Sequence, residues 1–208
     1  MRTDIDRADA FRYPDRPLSR RHGPSDYADY RSYRPWLRDE FAFRCVYCLV
    51  REQWGRATGE FDLDHFVPQV NEPYEPAEYG NMLYACRVCN LRKGTGQVPD
   101  PSQVLTAEAA RVYPDGTMVA LSDEADEIVR YLCLNSPVWK RWRRMWIRIV
   151  ELALERGADD LIQDLLGFPK DLPNLRLCRA PRNARPAGIE ESYFARRERG
   201  ELPEIFVS

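Results

Sequence analysis

Two Cys-x-x-Cys pairs, Cys45-Val46-Tyr47-Cys48 and Cys86-Arg87-Val88-Cys89, enclose the run FDLDHFVP at residues 61–68. Two residues between paired cysteines let both sulfur atoms turn onto one ion, and two such pairs are typical of a structural Zn²⁺ site. The 37 residues from 49 to 85 exceed the spacer of a simple zinc ribbon, so this segment must contain structure of its own. We therefore predict that the four cysteines hold one zinc ion and that the enclosed segment is built around it.

A disulfide framework is the alternative for the same four cysteines. The chain starts with MRTDID (residues 1–6), which has no apolar signal segment and predicts a cytoplasmic protein. Because cytosolic thiols stay reduced, we favour zinc. Structural zinc contributes folding free energy on the order of 10 kcal/mol.

Residues 34–94 resemble the zinc-containing HNH endonucleases, whose core is the ββα-metal fold. The resemblance depends on Asp64-His65, on Asn81 within GNMLY, and on Asn90 directly after Cys89. His65 matches the first letter of the family motif and Asn81 the second. Asn90 stands where many members have histidine, and asparagine is an accepted variant there. An Asp-His dipeptide alone is not specific, so the weight lies in its occurrence together with both asparagines and both cysteine pairs.

The resemblance implies a role for each of these residues. His65 is the general base that activates water, Asp64 and Asn90 are ligands of one divalent cation, and Asn81 holds the loop or the imidazole in position. Family members cut DNA and leave 5′-phosphate and 3′-hydroxyl ends. The residue types suit this chemistry, because a histidine with a pKa of about 6.5 can take a proton from water at neutral pH. Carboxylate and amide oxygens suit Mg²⁺ or Mn²⁺.

The pattern around the motif predicts strand, strand, helix. In residues 61–64, apolar side chains alternate with Asp62 and Asp64, which predicts a half-buried strand with both carboxylates on one face. Asp62 is therefore a substitute metal ligand. Residues 82–85 are predicted to form the returning strand.

A short helix is predicted to start at about Val88 and to end at Gly94. It places Asn90 and Lys93 on neighbouring surface, since they lie three residues apart. Lys93 is interpreted as a phosphate contact or as a solvated side chain.

The predicted fold class is α+β: a ββα-metal (HNH) core stapled by a four-cysteine zinc site, then a β-hairpin and a mainly helical C-terminal extension. Residues 1–33 are an arm packed by its tyrosines, with stacking on nucleic acid as the alternative. Residues 34–97 are the nuclease core, with a short helix from Pro35. Residues 98–208 comprise a hairpin around an Asp-Gly turn, helices, and a Pro- and Arg-rich tail packed on the core.

Two helices are predicted in the extension, one capped by Ser122 and running to about Cys133, the other opened by Ser136-Pro137 and stopped by Gly157. The longer helix carries a tryptophan stripe, interpreted as core, and a basic face. That face contacts DNA phosphates or pairs with glutamates of the same helix. The residues of the stripe are Trp139, Trp142 and Trp146, and those of the face are Lys140, Arg141, Arg144 and Arg148.

Three further predictions concern residues outside the motif. His22 is interpreted as solvated, and Cys133 and Cys178 as buried free thiols. From Gly167 the tail is predicted to be extended, with a strip of arginines along the protein surface or along a phosphate backbone. The strip consists of Arg176, Arg179, Arg182 and Arg185.

Composition limits the possible partners. The 208 residues carry a net charge of −2, so any nucleic-acid surface must be a local patch. No run approaches the roughly 18 apolar residues of a membrane span, so no membrane partner is expected. The sequence thus favours an endonuclease that nicks DNA with one divalent ion and a histidine base. RNA is an alternative substrate, a non-catalytic zinc module that binds nucleic acid or protein is the alternative function, and the oligomeric state does not follow from the sequence.

Overall fold

The computed structural model describes residues 9–54, 61–68, 78–178, 181 and 186–206. The chain combines helices with two small antiparallel sheets, as the α+β prediction requires. The strands are β1 (Phe61–His65), β2 (Met82–Cys86), β3 (Ala110–Val112) and β4 (Met118–Ala120). The α-helices are α1 (Arg34–Glu40), α2 (Arg87–Lys93), α3 (Pro101–Val104), α4 (Asp123–Tyr131), α5 (Pro137–Arg156), α6 (Asp159–Leu166) and α7 (Tyr193–Glu198).

The first sheet and the helix that follows it form one packed unit. β1 pairs antiparallel with β2, with Phe61 opposite Cys86 and His65 opposite Met82. Helix α2 begins one residue after β2 and packs on both strands. The predicted order strand, strand, helix is therefore present, and β2 is buried along its whole length.

Two arginine side chains brace the ends of this sheet. Arg34 donates a hydrogen bond to the carbonyl oxygen of Phe61 at the start of β1, at 2.7 Å. Arg20 donates to the carbonyl oxygen of Met82 at the start of β2, at 2.6 Å. The N-terminal arm and α1 thus fix the sheet from one side.

The hairpin and the helices after the core lie where the sequence predicts them. The turn between β3 and β4 contains Gly116 at φ +82°, where an added Cβ would meet the carbonyl oxygen of Lys140 at 2.1 Å. The Ser122 side chain accepts from the amide of Ala125 and caps α4. Helix α5 ends at Gly157, whose left-handed backbone closes the last turn.

The tryptophan stripe belongs to the core, as predicted. Trp139 of α5 is buried, and Trp142 and Trp146 pack against Trp54, which lies in the segment between the two cysteine pairs. The ring of Trp54 stacks on that of Trp146 with 4.9 Å between centroids. Helix α5 is therefore joined through aromatic side chains to the segment between the two cysteine pairs.

Several predictions about isolated residues are wrong. His22 is not solvated: its side chain is buried and lies 3.0 Å from the carboxylate of Asp39. Cys133 is exposed and Cys178 is half-buried, so neither is a buried thiol. Cys133 has φ +50° in the turn after α4, which holds its side chain outward.

The tail after Gly167 is not simply extended, because it contains a 3-10 helix at Leu175–Leu177 and helix α7. Arg176 pairs with Glu190 and Glu198 of the same tail. The other arginines of the predicted strip, at positions 179, 182 and 185, lie outside the described residues. Within the described part of the chain, no helix is both long and apolar enough to cross a bilayer.

The charged side chain of Arg143 on α5 is buried against the turn between β3 and β4. It is 0 % exposed and donates to the carbonyl oxygens of Gly116 and Leu134, each at 2.7 Å. We expect Arg143→Met to lower the free energy of unfolding by about 3 kcal/mol, because both buried acceptors lose their donor.

Urea denaturation followed by tryptophan fluorescence measures this loss. The neighbouring Arg144→Met is the control, since Arg144 is exposed and a surface change of this kind shifts stability by about 0.5 kcal/mol or less. Equal stability of the two variants would contradict the assigned role of Arg143.

Candidate functional site

The four cysteines of the two pairs form one cluster. Their sulfur atoms all lie within 4.8 Å of one another, all four residues are buried, and none forms a disulfide. The sulfur atoms of Cys48 and Cys86 are 3.7 Å apart. Tetrahedral zinc with Zn–S bonds of about 2.3 Å requires sulfur atoms about 3.8 Å apart, so the cluster fits a structural metal such as zinc. The disulfide alternative is not supported.

The local fold explains why the thiols meet. Cys86 is the last residue of β2 and precedes α2, and Cys89 lies in the first turn of that helix. The first pair is brought alongside by a hydrogen bond from the amide of Val46 to the carbonyl oxygen of Tyr84 in β2, at 3.0 Å. Burial raises the pKa of the Cys48 thiol, whereas hydrogen bonds from the other cysteines lower that of Cys86.

Asp62 and Asp64 face α2, as the alternating pattern predicts. Asn90 of α2 donates from its side chain to the carboxylate of Asp62, at 3.2 Å. Lys93, one turn further on, lies 2.9 Å from the carboxylate of Asp64. The acidic face of β1 is therefore matched, residue by residue, to polar side chains of α2.

Asp64 is more enclosed than a surface ligand. It is 3 % exposed, and its second carboxylate oxygen accepts from the hydroxyl of Tyr47 at 2.6 Å. Burial raises the pKa of the Asp64 carboxyl, and the ammonium of Lys93 and the hydrogen bond from Tyr47 act in the opposite direction. Tyr47 lies between the cysteines of the first pair, so the loop that carries these cysteines also holds Asp64 in place.

Lys93 corrects both interpretations made from the sequence. It is 1 % exposed, and besides Asp64 it donates to the carbonyl oxygen of His65 at 2.7 Å. It is neither solvated nor available to a phosphate at the surface. The sequence does contain a signal for this burial. Lys93 lies four residues after Cys89 and therefore on the same buried face of the seven-residue helix α2.

Asn81 contacts the loop after His65 through both ends of its side chain. Its Oδ1 accepts from the amide of Val67 at 2.7 Å, and its Nδ2 donates to the carbonyl oxygen of the same residue at 3.1 Å. Its own carbonyl oxygen accepts from the amide of Phe66 at 2.8 Å. Three hydrogen bonds of Asn81 thus shape the chain directly after His65.

His65 lies at the end of β1 and is half-buried. The ring of Tyr30 meets its imidazole edge to face, with 4.9 Å between centroids. Tyr47, Tyr30 and Lys93 are thus the contacts of the motif that sequence reasoning missed.

Comparison with known proteins assigns neither a family nor a function to this site. A scan against models of protein families found no match, and a search of curated proteins found none either.

The cysteine cluster predicts one zinc ion per chain. We expect Cys86→Ser to lose the metal and to destabilise the β1–β2–α2 unit, because Cys86 joins the strand to the helix. Metal analysis of the purified protein by mass spectrometry, with circular dichroism, measures both effects.

Cys133→Ser is the matched control, since Cys133 is exposed and outside the cluster. It should retain full zinc content and the stability of the unaltered chain. Retention of zinc by Cys86→Ser would contradict the assignment of the site.

We predict that Asp64 and Lys93 contribute to the free energy of unfolding as a pair and not independently. We expect Lys93→Met to lower the free energy of unfolding by about 3 to 5 kcal/mol, because it leaves the Asp64 carboxylate buried without its cation. Combining it with Asp64→Asn removes that charge and should restore much of the loss.

Urea denaturation of the unaltered chain, both single variants and the double variant gives the interaction free energy of the pair by a double-mutant cycle. Additive effects of the two substitutions would show that the pair contributes no coupling.

Proposed function

We propose that the chain is an HNH-type endonuclease that hydrolyses phosphodiester bonds in DNA. The observation that carries the proposal is the junction of β1 with α2 next to a four-cysteine cluster, where Asp62 contacts Asn90, and Asp64 and the carbonyl oxygen of His65 contact Lys93. Asn81, the remaining residue of the motif, binds the loop that follows His65. The sequence resemblance and these contacts therefore involve the same residues.

Each side chain has a place in the proposed reaction. His65 would take the proton from the attacking water, a contribution of about 10²- to 10⁴-fold for a positioned base. Asn81 would keep the following loop, and with it the backbone of His65, in a fixed conformation. Tyr47 and Lys93 would fix the Asp64 carboxylate through the contacts described above. Residues at the end of a strand and in an adjoining helix are well suited to such positioning.

Asp64 and Asn90 would hold a divalent cation, with Asp62 beside Asn90. When bound, a Mg²⁺ or Mn²⁺ ion neutralises charge on the phosphoryl oxygens. A carboxylate offers about four lone-pair sites, so the contacts of Asp64 with Tyr47 and Lys93 leave acceptor capacity. Asp62 and Asn90 are half-buried, and their oxygens suit a hard cation.

A second candidate is a zinc module that binds nucleic acid or a protein without cutting. The specific observation in its favour is the enclosure of Asp64, since a carboxylate paired with a buried lysine also serves as a purely structural group. RNA is a further possible substrate for the same residues.

Nicking of supercoiled plasmid tests the proposal. We expect relaxed circles to form with Mg²⁺ or Mn²⁺ and not with EDTA, and His65→Ala to reduce the rate at least a hundredfold through loss of the base. The variant should keep its zinc content and circular dichroism spectrum, and its identical purification controls for contaminating nucleases.

Mn²⁺ binding separates the two candidates, because a nuclease should bind the ion in addition to zinc and Asp64→Ala should abolish that binding. Equal nicking by the unaltered chain and His65→Ala would refute the histidine base. Absence of both nicking and Mn²⁺ binding would favour the non-catalytic module.

A further inference from the structure

The 3-10 helix Tyr30–Tyr33 and the first residue of α1 run along strand β1. At the start of the strand, Arg34 binds the carbonyl oxygen of Phe61. At its end, the ring of Tyr30 meets the imidazole of His65. The N-terminal arm therefore spans β1 and reaches the proposed base.

The arm is held firmly where it meets the site. The Asp29 side chain accepts from the amide of Arg31 and caps the 3-10 helix. Tyr33 is buried, and its ring packs on those of Tyr27 and Tyr79 at 5.0 and 5.3 Å. Tyr79 begins the turn that contains Asn81. The position of Tyr30 is thus tied to the element that shapes the loop after His65.

Arg31 projects from the same turn into solvent. Its guanidinium lies 5.8 Å from the centroid of the Tyr30 ring, at the limit of a cation–π contact. Among the described residues it forms no ion pair with a carboxylate, in contrast to Arg148 on the basic face of α5, which lies within 3.6 Å of Glu151 and Glu155. An exposed guanidinium that follows directly on the residue in contact with His65, and that has no carboxylate partner among the described residues, is suited to a phosphate group.

We propose that the 3-10 helix Tyr30–Tyr33 is the substrate-side wall of the site. Tyr30 is a positioning residue that fixes the orientation of the His65 imidazole. Arg31 binds a phosphate of the nucleic-acid strand next to the bond that is cut. This inference rests on the proposed nuclease function and adds to it a substrate contact outside the motif.

The first experiment detects the contact between Tyr30 and His65 by NMR and needs no activity measurement. The chain contains two histidines, so a ¹H–¹³C spectrum of histidine-labelled protein shows one resonance for His65 and one for His22. Tyr30→Leu should shift the His65 resonance by removing the ring current, while Tyr30→Phe should preserve it. The buried His22 is the internal reference. An unmoved His65 resonance in Tyr30→Leu would overturn the positioning role.

The same variants separate positioning from binding in the nicking assay. We expect Tyr30→Leu to lower kcat about tenfold with KM within about twofold, because the base is displaced and the substrate contacts remain. Tyr30→Phe should retain the rate of the unaltered chain. A change in KM alone would overturn the positioning role.

The second experiment measures binding of a short fluorescent DNA duplex without added Mg²⁺ or Mn²⁺, so that cutting does not occur and no chelator removes zinc from the cysteine cluster. Arg31→Ala should weaken binding about three- to tenfold and reduce the salt slope by about 1, and Arg31→Lys should recover part of the affinity. Arg199→Ala is the matched control, since Arg199 is exposed and pairs with Glu190 and Glu201. Equal affinities of Arg31→Ala and Arg199→Ala would overturn the phosphate contact.

The outcomes distinguish the two levels of the proposal. An unaltered chain that binds and nicks DNA, with Tyr30 and Arg31 variants indistinguishable from it, would overturn this inference alone. An unaltered chain that neither binds nor nicks would overturn the proposed function and the inference with it.

Discussion

The close approach of four sulfur atoms is the constraint on which the rest of the core depends. Cys86 and Cys89 belong to the junction of β2 and α2, and Cys45 and Cys48 come from a loop that pairs with β2. Two strands of five residues and a helix of seven bury too little apolar surface to be stable alone. A shared metal would fix the angle between helix and sheet, and that angle brings Asn90 and Lys93 onto the acidic face of β1.

The junction of β1 and α2 buries polar as well as apolar side chains. The contacts that stabilise a buried carboxylate there also reduce its capacity to bind a cation. Asp64 is stabilised by Lys93 and Tyr47, and a carboxylate so well paired has less reason to bind a cation. Asp62 and Asn90 are more accessible, and their mutual contact is longer, at 3.2 Å. In the proposed nuclease, Asp62 and Asn90 would be the more adjustable groups of the site, and the buried pair of Asp64 and Lys93 would keep its geometry fixed.

Local signals were sufficient for both sheets and for helices α1, α2, α4 and α5, but not for the remaining helices or for the contacts. Pro137 and Gly157 determine the ends of α5, and Ser122 determines the start of α4, because caps act within one helical turn. The two Cys-x-x-Cys pairs predicted the cluster, because two residues between paired cysteines allow both sulfur atoms to reach one ion. The burial of His22 by Asp39, and that of Lys93 by Asp64, depend on partners 17 and 29 positions away, which no local pattern contains. Helix α7 was missed because proline-rich sequence precedes it.

The carboxylates at the end of α1 join the N-terminal arm and helix α7 to the turn that carries Asn81. Glu40 accepts from the amides of Arg21 and His22 in the arm and from the hydroxyl of Tyr79, at 2.6, 3.1 and 2.8 Å. Asp39 accepts from the amide of Tyr193 at the start of α7. Buried carboxylates require such donors, so arm, tail and the turn that carries Asn81 must assemble around α1 together. The loop after His65 is therefore held, through Asn81 and Tyr79, by α1 and by the arm and α7, which both bind to the end of α1.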